Sequence, residues 1–342
     1  MPSFSPSRAA LRGLLRVAAA AEPLFGGAVH RDGNVLDPEL HAVLAAAQRA
    51  GLASIETLPV PQARARAARL LRAFDAAPRA MARIVDTHAP GPAGPLPVRV
   101  YVPHGAGAAM IVFFHGGGGV IGSVDSYDLT VRMLAARTGC VVASVDYRLA
   151  PEDPHPAAIE DAVAAWAWAR AAAPRFGCDP ARLAVAGDSF GGFLAAWVER
   201  RARDAGLGAP ALTVLIYPLL DLTLTQPSID TFADGFLLTR AMMTWFRGLY
   251  LPGDDAARRA ASPLLLDDVR DAAPALIVTA GFDPLRDEGA AWAERLRATG
   301  ARVTYRCHPE LVHGFIGLTG GFRRADAATR ALCDDVAAAL GR

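Results

Sequence analysis

The 342-residue chain contains no lysine, so its 35 basic side chains, set against 34 acidic ones for a formal charge of +1, are all arginine. A P-loop in its usual form is excluded, because that motif needs a lysine against the phosphates. So even a charge balance also argues against nucleic acid as a partner. Cysteine is scarce. Cys140, Cys178, Cys307 and Cys333 stand far apart, with no C-x-x-C pair and no histidine spacing suited to zinc. Neither a metal centre nor a disulfide framework is read from them, and a reducing, cytoplasmic setting is expected. No apolar stretch approaches the roughly 18–20 residues of a membrane span. The start is only faintly like a signal peptide, because Arg16 interrupts what would be its apolar region.

Apolar residues are plentiful, at 52% of the chain against 20% charged, which is the balance of an ordinary soluble globular protein with a large core. Residues 1 to about 35 carry little pattern. Asp37 before Pro38 reads as an N-cap, opening a helix to Ala50 with Leu40, Val43, Leu44 and Ala47 on one face and Gly51 as its stop. A second, arginine-rich helix is expected from about Gln62 to Ala76. Pro90 to Pro97 reads as a junction or hairpin turn.

Short apolar runs follow: Val98 to Val102, Met110 to Phe114, Cys140 to Val145, Leu183 to Ala186, Leu212 to Ile216, Ala275 to Thr279 and Val303 to Cys307. Helical stretches separate most of them, at Asp128 to Thr138, Ala157 to Ala172, Phe193 to Ala205 and Asp287 to Thr299, with a last one at Ala325 to Leu340. Such alternation implies an α/β fold with a mostly parallel sheet covered on both faces. The first two runs, close in sequence, are expected to pair antiparallel. From Asp221 to about Leu266 the alternation stops. A loop leads there to a helix from Thr239 carrying Met242, Met243, Phe246, Leu249 and Tyr250, which packs against a neighbour or lines an apolar pocket.

In a parallel sheet, ligands bind beyond the carboxyl ends of the strands. Residues just past each run are therefore the ones to examine. Gly187-Asp188-Ser189-Phe190-Gly191-Gly192 joins a strand to a helix, the setting in which G-x-S-x-G lifts a serine hydroxyl clear of the backbone. Asp283 follows the run from Ala275, and His313 follows the run from Val303. Ser189, Asp283 and His313 thus form a candidate triad in chain order. His308 and Asp287 compete less well, since the first lies in its strand and the second is accounted for by N-capping. His115-Gly116-Gly117-Gly118-Gly119 follows the run from Met110; the amides of Gly117, Gly118 and Phe190 are candidate donors to a developing oxyanion, with His115 pinning the loop. Gly117 to Gly122 also fits the dinucleotide pattern G-x-G-x-x-G, with Asp146 as a ribose acid, but that reading leaves the triad unexplained.

Taken together, His115 to Gly118, Asp146 to Glu152, Gly187 to Gly192, Asp283 to Asp287 and His313 to Phe315 resemble the hormone-sensitive-lipase-like family of α/β-hydrolases, the bacterial family IV esterases. The resemblance spans about residues 98 to 320. It implies an α/β-hydrolase fold of about eight strands with a helical cap. The cap would come from residues 1–85 and an insertion at 222–262, and the core from 86–221 and 263–342. It further implies hydrolysis of short- to medium-chain acyl esters, a small-molecule ester as partner, no cofactor, and a homodimer in many members. Amide, arylformamide or lactone hydrolysis with the same triad, or a receptor role without turnover, are the alternatives. Two departures stand out: Gly119 where the family usually has an aromatic residue, and Phe190 where it usually has alanine. Gly119, by this departure, and Met242 and Phe246, on the inserted helix, are expected to shape substrate binding; Arg148 and Glu152 are expected to hold structure through charge-assisted hydrogen bonds.

Overall fold

The computed structural model describes residues 27–51 and 54–341, so the arginine-interrupted start lies outside the described residues. Its strands are β1 (His30–Arg31), β2 (Asn34–Val35), β3 (Arg83–Gly91), β4 (Gly94–Val102), β5 (Met110–Phe114), β6 (Val141–Val145), β7 (Leu183–Asp188), β8 (Leu212–Ile216), β9 (Ala275–Phe282) and β10 (Val303–Val312). Ten α-helices accompany them among the described residues: α1 (Pro38–Arg49), α2 (Val60–Phe74), α3 (Asp128–Thr138), α4 (Ala157–Ala172), α5 (Phe190–Asp204), α6 (Pro227–Thr231), α7 (Arg240–Tyr250), α8 (Asp255–Ala261), α9 (Arg286–Ala298) and α10 (Arg323–Ala339). β1 and β2 form a small antiparallel ladder in a stretch with little sequence pattern. The other eight make one sheet in the order β10-β9-β8-β7-β5-β6-β4-β3.

Strand side chains alternate between two apolar layers. Met110, Val112 and Phe114 enter one and Ile111 and Phe113 the other. With both faces covered, β5 reads in sequence as an unbroken apolar run. The α1 start is capped as its sequence implies, with Asp37 Oδ1 accepting the N–H groups of Glu39 and Leu40 at 2.8 and 3.0 Å.

The expected antiparallel pairing of Val98–Val102 with Met110–Phe114 does not form. β4 pairs antiparallel with β3 and β6, while β5 lies parallel between β6 and β7. β3 has no apolar run to announce it: its residues are mostly half-buried or exposed, and it closes on Pro90 and Gly91. Between Asp221 and Leu266 three α-helices and a short 3-10 turn form, where the sequence pattern marks only the helix that begins after Thr239. No helix among the described residues is long and apolar enough to cross a membrane.

Candidate active site

β7 ends at Asp188 and α5 begins at Phe190, leaving Ser189 at the corner with φ 55° and ψ −118°. A side chain seldom occupies that conformation, and here it holds the serine clear of the strand. The bend is tight enough to dictate its neighbours. A Cβ on Gly187 would run into the backbone of Gly191, and one on Gly191 into the Phe114 carbonyl.

The carboxyl ends of β9 and β10 bring the other two groups to the same point. His313 Nε2 lies 3.0 Å from Ser189 Oγ, and Nδ1 lies 2.8 Å from Asp283 Oδ2. Asp283 is fully buried, and its second oxygen accepts the Leu285 N–H at 2.9 Å. A carboxylate facing Nδ1 keeps the imidazole proton on that nitrogen, which leaves the Nε2 lone pair directed at the serine. Tyr217 packs beneath His313 with ring centroids 4.6 Å apart. Ser189, His313, Gly117, Gly118, Phe190, Met242 and Phe246 all line one apolar cavity of about 280 Å³. The N–H groups of Gly117 and Gly118 donate to no carbonyl of the described residues, and Phe190 opens α5, where helix N–H groups lack partners.

A family model described as alpha/beta hydrolase fold matches residues 111–317. Carboxylic ester hydrolase LipN of Mycobacterium tuberculosis is 42% identical over 328 residues, covering 93% of this chain and 86% of that protein. The chain belongs to the hormone-sensitive-lipase-like family of α/β-hydrolases. An ethyl acetate hydrolase of Pseudomonas putida is 40% identical over 239 residues, 68% of this chain and 74% of that protein. Ester hydrolase EH1AB1 from the metagenome of Lake Arreo, solved with a bipyridine phosphonate derivative, superposes with a TM-score of 0.84. It is 40% identical, covering 90% of this chain and all of that one.

In this family IV member the two departures from the family pattern are one feature. Gly119 does not line the cavity, contrary to expectation. A Cβ there would stand 2.7 Å from Phe190 Cζ and 3.0 Å from Tyr250 Cδ2. Phe190 is buried, stacked on Phe193 at 5.1 Å and edge-on to Tyr250 at 4.7 Å, so its ring fills the space beside the glycine. Gly119→Ala should then cost about 1–3 kcal/mol from overpacking, besides the strain of its positive φ. In a Phe190→Ala background the strain and the contact with Tyr250 should remain while the larger clash with Phe190 is relieved, so the cost should shrink, which denaturant unfolding of the four proteins would measure. Additive effects would contradict the contact.

Asp188, to which sequence reasoning assigns no role, is buried immediately before the serine. Its Oδ1 accepts the Gly116 N–H at 2.8 Å, and its Oδ2 the hydroxyls of Tyr127 at 3.0 Å and Tyr217 at 3.5 Å. One carboxyl thus ties the glycine loop to the elbow and to the ring under His313. The available signal was its position, an ionisable residue at the end of a fully apolar strand. Burial pushes its pKa up to about 6, against the lowering effect of the bonds from Tyr127 and Gly116. The fold therefore favours the protonated acid over the unfolded chain, whose carboxyl titrates near 3.9. That stabilisation is complete below about pH 4 and is lost as pH rises through about 6. Asp188→Asn cannot titrate. The wild-type unfolding free energy minus that of the variant should fall between about pH 4 and 6.5 and then level off; a constant difference would contradict the shift.

The remaining groups around the site hold structure. His115 Nδ1 donates to the Gly116 carbonyl at 2.8 Å, and burial disfavours its charged form, so it pins the glycine loop as a neutral ring. The loop closes as a turn, with Val120 and Ile121 N–H both on the Gly117 carbonyl, and α3 begins only at Asp128. A dinucleotide site would need a helix opening directly from the glycines. Asp146 instead accepts the Val124 N–H at 3.0 Å. Arg148 forks onto Asp161, and Arg64 binds Glu152. Asp287 does not cap α9. It accepts the Ser228 N–H at 2.9 Å and pairs with Arg286, fastening α6 to α9.

Proposed function

We propose that this chain is a serine carboxylesterase that hydrolyses short- to medium-chain acyl esters through an acyl-enzyme. The observation that carries the reading is the unbroken chain of contacts from Ser189 Oγ through His313 to the buried Asp283. Ser189 Oγ attacks the ester carbonyl as its proton passes to His313 Nε2, and Asp283 stabilises the imidazolium. The amides of Gly117, Gly118 and Phe190 receive the carbonyl oxygen as it gains charge. His313 then returns the proton to the departing alcohol, and water deacylates the serine by the same route. Met242 and Phe246 bound the substrate, with residues of α1, α2 and α7 acting as a cap over the strand ends.

The apolar lining of the cavity supports hydrocarbon acyl and alcohol groups. Rates on p-nitrophenyl esters of increasing acyl length, beside the matching p-nitroanilides, test the assignment. Ester turnover with an optimum at short to medium chains, and anilide turnover far slower, is the expected result. Faster anilide cleavage would make the chain an amidase.

A further inference from the structure

Besides Asp188 and His313, the one charged side chain among the described residues lining the cavity is Arg247 on α7. It follows Phe246, whose ring covers Gly118 so closely that a Cβ on that glycine would strike it. An arginine offers five N–H donors and keeps its charge at any working pH. Here Nη1 reaches only the carbonyls of Leu222 and Thr223, at 3.3 and 3.4 Å. The buried Nε has no hydrogen-bond partner among the described residues. Neighbouring Arg240 and Arg258 are each paired, with Asp230 and Asp255, whereas Arg247 has no carboxylate in contact among the described residues. Burial, then Arg258 and Arg240, disfavour its charged form, and Asp255 and Asp221 offset this only in part. The cavity thus presents a cation whose charge the described residues compensate only in part, and by no carboxylate in contact.

We propose that Arg247 is a specificity-determining residue that binds an anionic group, a carboxylate, carried by the ester being hydrolysed at Ser189. The inference rests on the esterase reading and narrows it. A carboxylate would accept the free guanidinium donors in a charge-assisted fork, inside a cavity whose apolar walls strengthen the attraction. It can stand on the acyl side, as in a dicarboxylic acid monoester, or on the alcohol side, as in an acylated hydroxy acid. The chemistry at Arg247 is the same in both.

Two matched pairs distinguish the sides. One is p-nitrophenyl monoesters of linear dicarboxylic acids beside the same chains ending in a primary amide. The other is acetate esters of ω-hydroxy acids beside the corresponding ω-hydroxy amides. The readout is the kcat/KM ratio of anionic to neutral member in wild type, Arg247→Gln and Arg247→Lys. In one pair Arg247→Gln should lower that ratio about ten- to a hundredfold, the worth of a hydrogen bond to a charged group. Arg247→Lys should keep part of it. A ratio unchanged in both pairs, or parallel loss on anionic and neutral esters, would reduce Arg247 to a brace for the Leu222–Thr223 backbone. Wild type alone gives an independent test should the variants fail to fold. Linear dicarboxylates should inhibit neutral-ester hydrolysis at lower concentration than their monoamides, and equal inhibition would overturn the proposal. Normal turnover of neutral esters beside either negative result confines the failure to Arg247. Absence of turnover on every ester would overturn the esterase reading and this inference with it.

Discussion

Ser189→Ala should lower turnover of a p-nitrophenyl ester by roughly six orders of magnitude, leaving only what the oxyanion donors and cavity achieve with water. The change deletes one oxygen, and no bond that holds the elbow depends on it. The elbow is fixed by backbone: the Ser189 N–H donates to the Ile216 carbonyl at 2.8 Å, and its own carbonyl accepts from Gly192 and Leu219 at 3.0 and 3.1 Å. Folding should therefore survive, and thermal unfolding within a few degrees of wild type would show that it does. Residual activity above about one part in a thousand, in protein free of wild type, would mean that the hydroxyl is not the nucleophile.

Asp283→Asn should cost about four orders of magnitude in kcat, with little change in KM. The reason lies in the second oxygen. Leu285 N–H donates to Oδ1 at 2.9 Å, so an asparagine would satisfy that donor with its carbonyl oxygen and turn its NH₂ toward His313. An NH₂ at that place calls for an acceptor at Nδ1. The imidazole proton would move to Nε2, where it faces Ser189 and blocks proton uptake. A loss smaller than about tenfold would show that Asp283 does not set the tautomer.

Much of this arrangement is written locally in the chain. Ser189, Asp283 and His313 each come directly after a strand that is apolar or ends in apolar residues, so rules about strand ends place them without knowledge of the sheet order. The helices Asp128–Thr138 and Ala157–Ala172 stand where periodicity put them. β3 escaped because an exposed edge strand needs no apolar run, and the order of β4, β5 and β6 is a matter of crossovers that leave no local mark. The part played by Asp188 depends on Gly116, Tyr127 and Tyr217 converging from three separate segments. Likewise Gly119 and Phe190 look like two unrelated departures until loop and helix abut. Arg247 carries no motif at all, and only its lack of an acidic partner inside the cavity marks it out.

Covalent capture of the nucleophile tests the central claim most directly. The protein would be incubated with a p-nitrophenyl alkylphosphonate ester, released nitrophenolate counted, and the modified peptide mapped by mass spectrometry. One nitrophenolate per chain, one phosphonyl group on Ser189, loss of ester turnover in step, and no labelling of Ser189→Ala are the expected outcome. Labelling at another residue with turnover intact, or stoichiometric labelling of Ser189→Ala, would contradict the assignment of Ser189 as the residue that takes the acyl group.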